Sequence, residues 1–240
     1  MNYRIALLTH GPDAIAADAL QSFLSKLTEP PCDVVVWGDG PKTKWPLEMI
    51  QHRVGFFNED YKAGVSVHVA AADKQEGFCT ATRRLWKLAS TLPRPESGGL
   101  KLVDHVLWLE HDFLLLRELD LNPLASILAQ HRIYGGAPVA QVSLMRGPVS
   151  DAEREAGGLV QSRPGEFGEE GRWLSQRSYF TTNVNLMTVD FMLNNPWPQY
   201  DSECEGKFTR DLLARGYRFG VWGDGQPWID HLGVRSGFGY

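Results

Sequence analysis

Four short apolar runs, Arg4–Thr9, Asp33–Trp37, Val65–Ala71 and His105–Leu109, set the strongest limit on what this chain can fold into. Each reads as a buried strand. The first ends at the turn His10-Gly11-Pro12 and the second at Gly38-Asp39-Gly40. Between them lie stretches with helical spacing. Asp13–Leu27 carries Ile15, Leu20, Phe23, Leu24 and Leu27 on one side, and Gln75–Ala89 repeats Phe78, Ala81, Leu85, Trp86 and Ala89 at three and four. Strands that are apolar on both faces, alternating with helices, predict an α/β fold with a mostly parallel central sheet and helices on both faces.

The second half is less regular. Val139–Leu144, Thr181–Val189 and Tyr217–Trp222 read as strands and Glu205–Arg215 as a helix, followed by an irregular tail. Arg146–Arg177 is rich in glycine and charge, which predicts a long loop carrying short helices, and such a loop is usually functional or mobile. Trp-Gly-Asp-Gly occurs at 37–40 and 222–225, but the flanks do not align, so it marks two strand-ending turns and not a repeat. With no linker in the chain, the expectation is a single domain over 1–240.

Composition narrows the class. The chain has 240 residues, 43% hydrophobic and 22% charged, which is enough for a substantial core. A net charge of −5 argues against broad non-specific binding to nucleic acid or acidic membrane, while leaving room for a local basic groove. The apolar run after Met1 is too short for a signal peptide, and no stretch has transmembrane length. The three cysteines, Cys32, Cys79 and Cys204, form no CxxC pair. Reduced thiols and a cytoplasmic protein with no membrane partner are the expectation.

The chemistry concentrates at Glu110-His111-Asp112, charged residues that interrupt an apolar stretch at a strand end. In open parallel sheets, ligands bind beyond the carboxyl ends of the strands. Alternation along an extended segment predicts Glu110 and Asp112 on one side and His111 on the other. A carboxylate there can ligate Mg²⁺ or Mn²⁺, which favour oxygen ligands and bridge to phosphates. The bland alternative is a strand end whose acids meet solvent or an arginine. His231, in Trp228-Ile229-Asp230-His231-Leu232-Gly233, could add a nitrogen ligand.

Five segments in order, Asp73-Lys74-Gln75-Glu76-Gly77-Phe78-Cys79, Trp108-Leu109-Glu110-His111-Asp112-Phe113, Phe180-Thr181-Thr182-Asn183, Glu205-Gly206-Lys207-Phe208 and His231-Leu232-Gly233, carry a resemblance. Through them the chain resembles GT-A-fold (Rossmann-like) glycosyltransferases, and more narrowly the small glycosyltransferase-like proteins encoded by tailed bacteriophages. The resemblance implies a nucleotide-binding half over 1–120 and an acceptor-binding half over 121–240. It also implies a nucleotide-diphospho-sugar donor, a divalent metal (Mn²⁺ or Mg²⁺) and an inverting hexosyltransferase-type reaction in the host cytoplasm. Asp112 would be the principal metal ligand and His231 the distal one. Glu110, where many relatives have aspartate, would contact ribose or bind metal through water. Glu205 would be the base, with Glu203 and Asp201 as neighbours able to replace it. Thr9, His10 and Asp39 would meet the donor base, Lys74 and Arg83 the base or diphosphate, and Asn183 a sugar, with Trp173 and Trp228 as an apolar wall. The acceptor suggested is a hydroxymethylated pyrimidine in DNA. Protein or a small glycan is the alternative acceptor, and a sugar- or nucleotide-binding module without turnover is the non-enzymatic alternative. Arg146, Arg154, Arg163, Arg172 and Arg177 could contact phosphates, though six acids share their loop.

Overall fold

The computed structural model describes residues 1–12, 14–96, 99–133, 136–146, 166–167, 173–176, 179–199, 202–223 and 226–232. In chain order the elements are β1 (Tyr3–Thr9), α1 (Ile15–Leu24), β2 (Asp33–Gly38), a 3₁₀ turn (Pro41–Thr43), α2 (Lys44–Tyr61), β3 (Ser66–Ala71), α3 (Phe78–Thr91), β4 (Arg94–Glu96), β5 (Gly99–Lys101), β6 (His105–Glu110), β7 (Phe113–Leu115) and α4 (Asn122–Ile133). They continue with β8 (Val139–Leu144), β9 (Glu166–Phe167), β10 (Trp173–Gln176), β11 (Asn185–Thr188), α5 (Val189–Asn194), α6 (Cys204–Ala214), β12 (Arg218–Trp222) and β13 (Ile229–His231).

One mixed sheet runs β3-β2-β1-β6-β11-β8-β12-β10-β9. The pairs β3–β2, β2–β1, β1–β6 and β8–β12 are parallel. β11 lies antiparallel between β6 and β8, and β10 and β9 extend the far edge antiparallel. Strand parity explains why the central runs are apolar throughout. Ile5, Leu7, Val34, Val36, Leu107 and Leu109 pack on one face, with α1, α2 and α4. Ala6, Leu8, Val35, Val106 and Trp108 pack on the other, with α3, α5 and α6. The expected α/β architecture, with a largely parallel sheet between two helical layers, is therefore present. Among the described residues no helix is long and apolar enough to cross a membrane.

Several expectations change. The chain turns at His111–Asp112, so strand alternation stops at Glu110 and the two carboxylates do not share a side by that rule. The strand read at Thr181–Val189 is confined to Asn185–Thr188, because the residues before it form bends. Inside the loop read at Arg146–Arg177 lie β9 and β10; the short helices expected there, and most of its arginines, fall outside the described residues. The tail is not wholly irregular, since β13 pairs antiparallel with β7. The cysteines depart furthest. Cys79 and Cys204, 125 residues apart in sequence, form a disulfide with Cα atoms 5.9 Å apart, and Cys32 alone is free. Scattered spacing says nothing about distance in space, which is why the reduced-thiol reading fails.

The strand-ending turns need glycine for space. A Cβ on Gly38 would stand 2.2 Å from Thr43 Oγ1, and one on Gly223 would stand 2.7 Å from Met145 Cβ. At the opposite end of the sheet, Arg4 is fully buried. Its Nε and Nη2 donate to the two carboxylate oxygens of Asp33 at 2.8 and 2.7 Å, and Nη1 donates to the Ala89 carbonyl at 2.8 Å. The pair ties β1, β2 and α3 together. Removing one member strands a buried charge, whereas removing both does not. Asp33→Ala should therefore cost about 3–5 kcal/mol, and the joint change Arg4→Met, Asp33→Leu clearly less. Urea denaturation of the two variants checks this, and equal losses would refute it.

Candidate functional site

In this sheet the chain winds outward from β1 in both directions, to β2 and β3 on one side and to β6 on the other. The crevice beyond β1 and β6 is thus the switch point where ligands of open α/β sheets bind. His10 follows β1 and His111 follows β6, and their rings meet edge to face at 4.1 Å across this crevice. Thr9, at the end of β1, is buried, and its hydroxyl has no hydrogen-bond partner among the described residues.

Parity puts Glu110 on the face of Val106 and Trp108, toward α3 and α6. It is 6% exposed, and Oε1 accepts a hydrogen bond from Thr182 Oγ1 at 2.6 Å. The same hydroxyl lies 2.6 Å from Glu205 Oε1, to which the Thr182 N–H also donates at 2.7 Å. A hydroxyl has one proton, so it can satisfy only one of the two carboxylates at a time. Tyr179 OH donates to Glu205 Oε2 at 3.3 Å. Glu205 sits in the first turn of α6, which favours an acid on dipole grounds as well. The preceding residue but one, Glu203, adopts φ 52°, a left-handed conformation. Asp201 lies outside the described residues.

The segment carrying Thr182 is held from behind. Asn185, fully buried, donates from Nδ2 to the carbonyls of Thr181 and Asn183 at 3.0 and 2.7 Å. The Gln141 amide, oriented to satisfy both groups, exchanges two 2.9 Å hydrogen bonds with the backbone of Thr181. Thr209 Oγ1 accepts from the Phe180 N–H at 3.1 Å and donates to the Glu205 carbonyl at 2.7 Å.

Asp112 and His231 come together by a separate route. β13 runs against β7 with His231 opposite Phe113, and Leu232 N–H donates to the Asp112 carbonyl at 2.7 Å. His231 Nε2 then lies 2.9 Å from Asp112 Oδ2, with both side chains largely buried. Arg117 helps fix this strand pair, with its guanidinium 4.7 Å from the Trp228 ring centre and Nη2 donating to the Pro227 carbonyl. Burial works to raise the Asp112 carboxyl, but the polar contact with His231, the fields of His111 and His231 and a backbone hydrogen bond outweigh it. The net shift is downward. Asp112 Oδ1 is buried with no hydrogen-bond partner among the described residues.

The other expected residues are placed differently. Asp39 is buried, and its two carboxylate oxygens accept the N–H groups of Glu76 and Gly77 at 2.7 and 3.1 Å, so it anchors the approach to α3. Lys74 is exposed, Arg83 half-buried on α3, and Asn183 half-buried before β11. Their side chains have no hydrogen-bond or ion-pair partner among the described residues. Trp228 is half-buried beneath Arg117; the Trp173 side chain lies outside the described set. Sequence reasoning missed Thr182 and Tyr179. Thr182 stood inside a quoted segment, but only the antiparallel register of β11 against β6 brings it to Glu110.

Among the described residues no three His, Cys, Asp or Glu side chains converge as a metal site. Asp112 and His231 offer one carboxylate and one imidazole, a set that suits Mn²⁺ or Mg²⁺ when phosphate and water oxygens fill the remaining positions. Their 2.9 Å separation is close to the ~3 Å expected of adjacent ligands about 2.1 Å from an octahedral ion. The uncommitted Asp112 Oδ1 fits the same reading. Compared with known proteins, the chain matches no family model and no curated protein.

The lowered Asp112 group makes a pH prediction. A carboxyl depressed on folding stabilises the protein above its ordinary value of 3.8 and loses that contribution as pH falls through the lower folded value. In metal-free buffer the wild type should lose stability more steeply than Asp112→Asn below about pH 4. Thermal melts from pH 6 to 2 measure it; parallel curves would contradict the assignment.

Proposed function

We propose that the chain is a GT-A-type glycosyltransferase that moves a sugar from a nucleotide-diphospho-sugar to an acceptor hydroxyl, assisted by Mn²⁺ or Mg²⁺. The observation that carries this reading is the Asp112–His231 pair, two residues along the chain from the Glu110–Thr182–Glu205 carboxylate assembly, at the carboxyl ends of a mostly parallel sheet. Transfer needs both a place for a departing diphosphate and a base for an incoming hydroxyl, and the two assemblies supply one each.

The Asp112 carboxylate and His231 Nε2 would hold the cation, which when bound neutralises negative charge developing on the leaving diphosphate. Glu205 is the base. Its Oε1 already takes the Thr182 N–H and abuts the Thr182 hydroxyl, and among the described residues its Oε2 takes only Tyr179 OH. Oε2 therefore keeps a lone pair for the acceptor proton. As the acceptor oxygen bonds to the anomeric carbon, the bond from that carbon to the diphosphate breaks and the acceptor proton passes to Oε2, which inverts configuration. His10, His111 and Thr9 line the crevice where the donor nucleoside would lie. Lys74 and Arg83 would supply positive charge to the donor's base or diphosphate.

The resemblance places a hydroxymethylated pyrimidine in DNA first among acceptors, with protein and small-glycan hydroxyls next. Nucleoside diphosphate release should be followed across a panel of nucleotide-sugars, with and without Mn²⁺, against each acceptor class. At least one pair should give Mn²⁺-dependent release, and Glu205→Gln should lower kcat by roughly 10²–10⁴ with little change in donor KM. Absence of release from every pair would sink the enzymatic reading and leave a binding module.

A further inference from the structure

The Cys79–Cys204 disulfide joins the first turn of α3 to the first residue of α6, immediately before Glu205. Cys204 is 2% exposed, while Cys79 is half-buried, so an external thiol can reach only the Cys79 side. Each sulfur sits at a helix N-terminus, where exposed N–H groups stabilise a departing thiolate and make such a bond easier to reduce. The first turn of α6 is held at Glu205, by Thr182 and Tyr179 at its side chain and by Thr209 at its carbonyl. It is entered through Glu203 at φ 52°, a conformation that a residue with a side chain keeps only when its surroundings impose it, and Glu203 makes no side-chain capping hydrogen bond.

We infer that Cys79–Cys204 is a thiol–disulfide exchange site whose oxidised form clamps the first turn of α6 and thereby positions Glu205 against Thr182. A dithiol reductant attacks Cys79 Sγ as its thiolate, the S–S bond breaks, and Cys204 leaves as thiolate. The second thiol of the reductant then releases Cys79 and closes its own disulfide, so two electrons and two protons pass to the protein. Without the covalent tie, the left-handed entry relaxes and the first turn frays, which loosens the Thr182 N–H to Glu205 contact. Asp112 and His231 are held by β7 and β13 and are untouched. Only the catalytic consequence of this inference rests on the transferase reading.

Amide hydrogen exchange on the intact chain, oxidised and then fully reduced with dithiothreitol, tests it, with alkylation and mass measurement confirming one disulfide before and three thiols after. Reduction should speed exchange of the Thr182 amide at least roughly tenfold and leave that of Leu232, which donates to Asp112, unchanged. Cys79→Ser with Cys204→Ser should copy the reduced state and lose all response to dithiothreitol. If transfer activity is present, kcat should fall on reduction while donor KM holds. Loosening at Thr182 without any transfer activity supports the clamp and counts against the transferase reading alone. Unchanged Thr182 exchange after verified reduction, or three free thiols in the protein before reduction, overturns the inference.

Discussion

Because β11 runs against β6, the chain leading into β11 is delivered to the carboxyl end of β6. Asn185 pairs with Trp108, so residues 181–183 fall beside Glu110. That reversal, next to the parallel run β3-β2-β1-β6, is what the candidate site depends on. A carboxylate at the end of a buried strand needs a polar partner, and the reversed strand brings a hydroxyl and backbone N–H groups to that spot. Gln141 and Asn185, both buried amides, then spend their hydrogen bonds on holding the lead-in rather than a ladder. Such a segment is fixed before any ligand arrives, which is what a positioned base requires.

The same face of the sheet carries an aromatic cluster that fixes α3 against α5, α6 and the segment around residue 180. The Trp86 ring lies with its centre 5.4–6.2 Å from those of Trp108, Phe180, Phe191, Trp197 and Phe208. Packing of this kind is stiff, so the bodies of α3 and α6 keep their spacing. The Cys79–Cys204 bond adds a covalent tie between their first turns. On the far side of the two-residue turn at His111–Asp112, the separate β7–β13 pair presents His231 to Asp112. Two carboxylates that are near neighbours in sequence are thus served by segments more than seventy residues away, each on its own support.

How far the fold was legible follows from burial. β1, β2 and β6 are buried on both faces, so their sequences are apolar without interruption and their type is plain. α2 left no such trace, because Trp45, Phe56 and Tyr61 sit on its exposed side at 51%, 61% and 62% and blur the helical period. The strand before residue 185 was overread, since Thr181 and Thr182 look like strand residues but are committed to side-chain and turn contacts. At the site, the residue types Asp112 and His231 were visible, and so was Glu205. The hydroxyl that links Glu205 to Glu110 was not, because it depends on strand order and direction. The disulfide is illegible for the same reason: 125 residues separate its halves.

In the proposed transferase, Asp112 and His231 act as one cation site apart from the Glu205 base. Electron paramagnetic resonance of Mn²⁺, titrated into the chain with a saturating nucleoside diphosphate, tests it most directly. A single ion should bind to the wild type, with binding weakened at least roughly tenfold by Asp112→Asn and by His231→Ala and unchanged in Glu205→Gln. Equal Mn²⁺ affinity in all four proteins would contradict it.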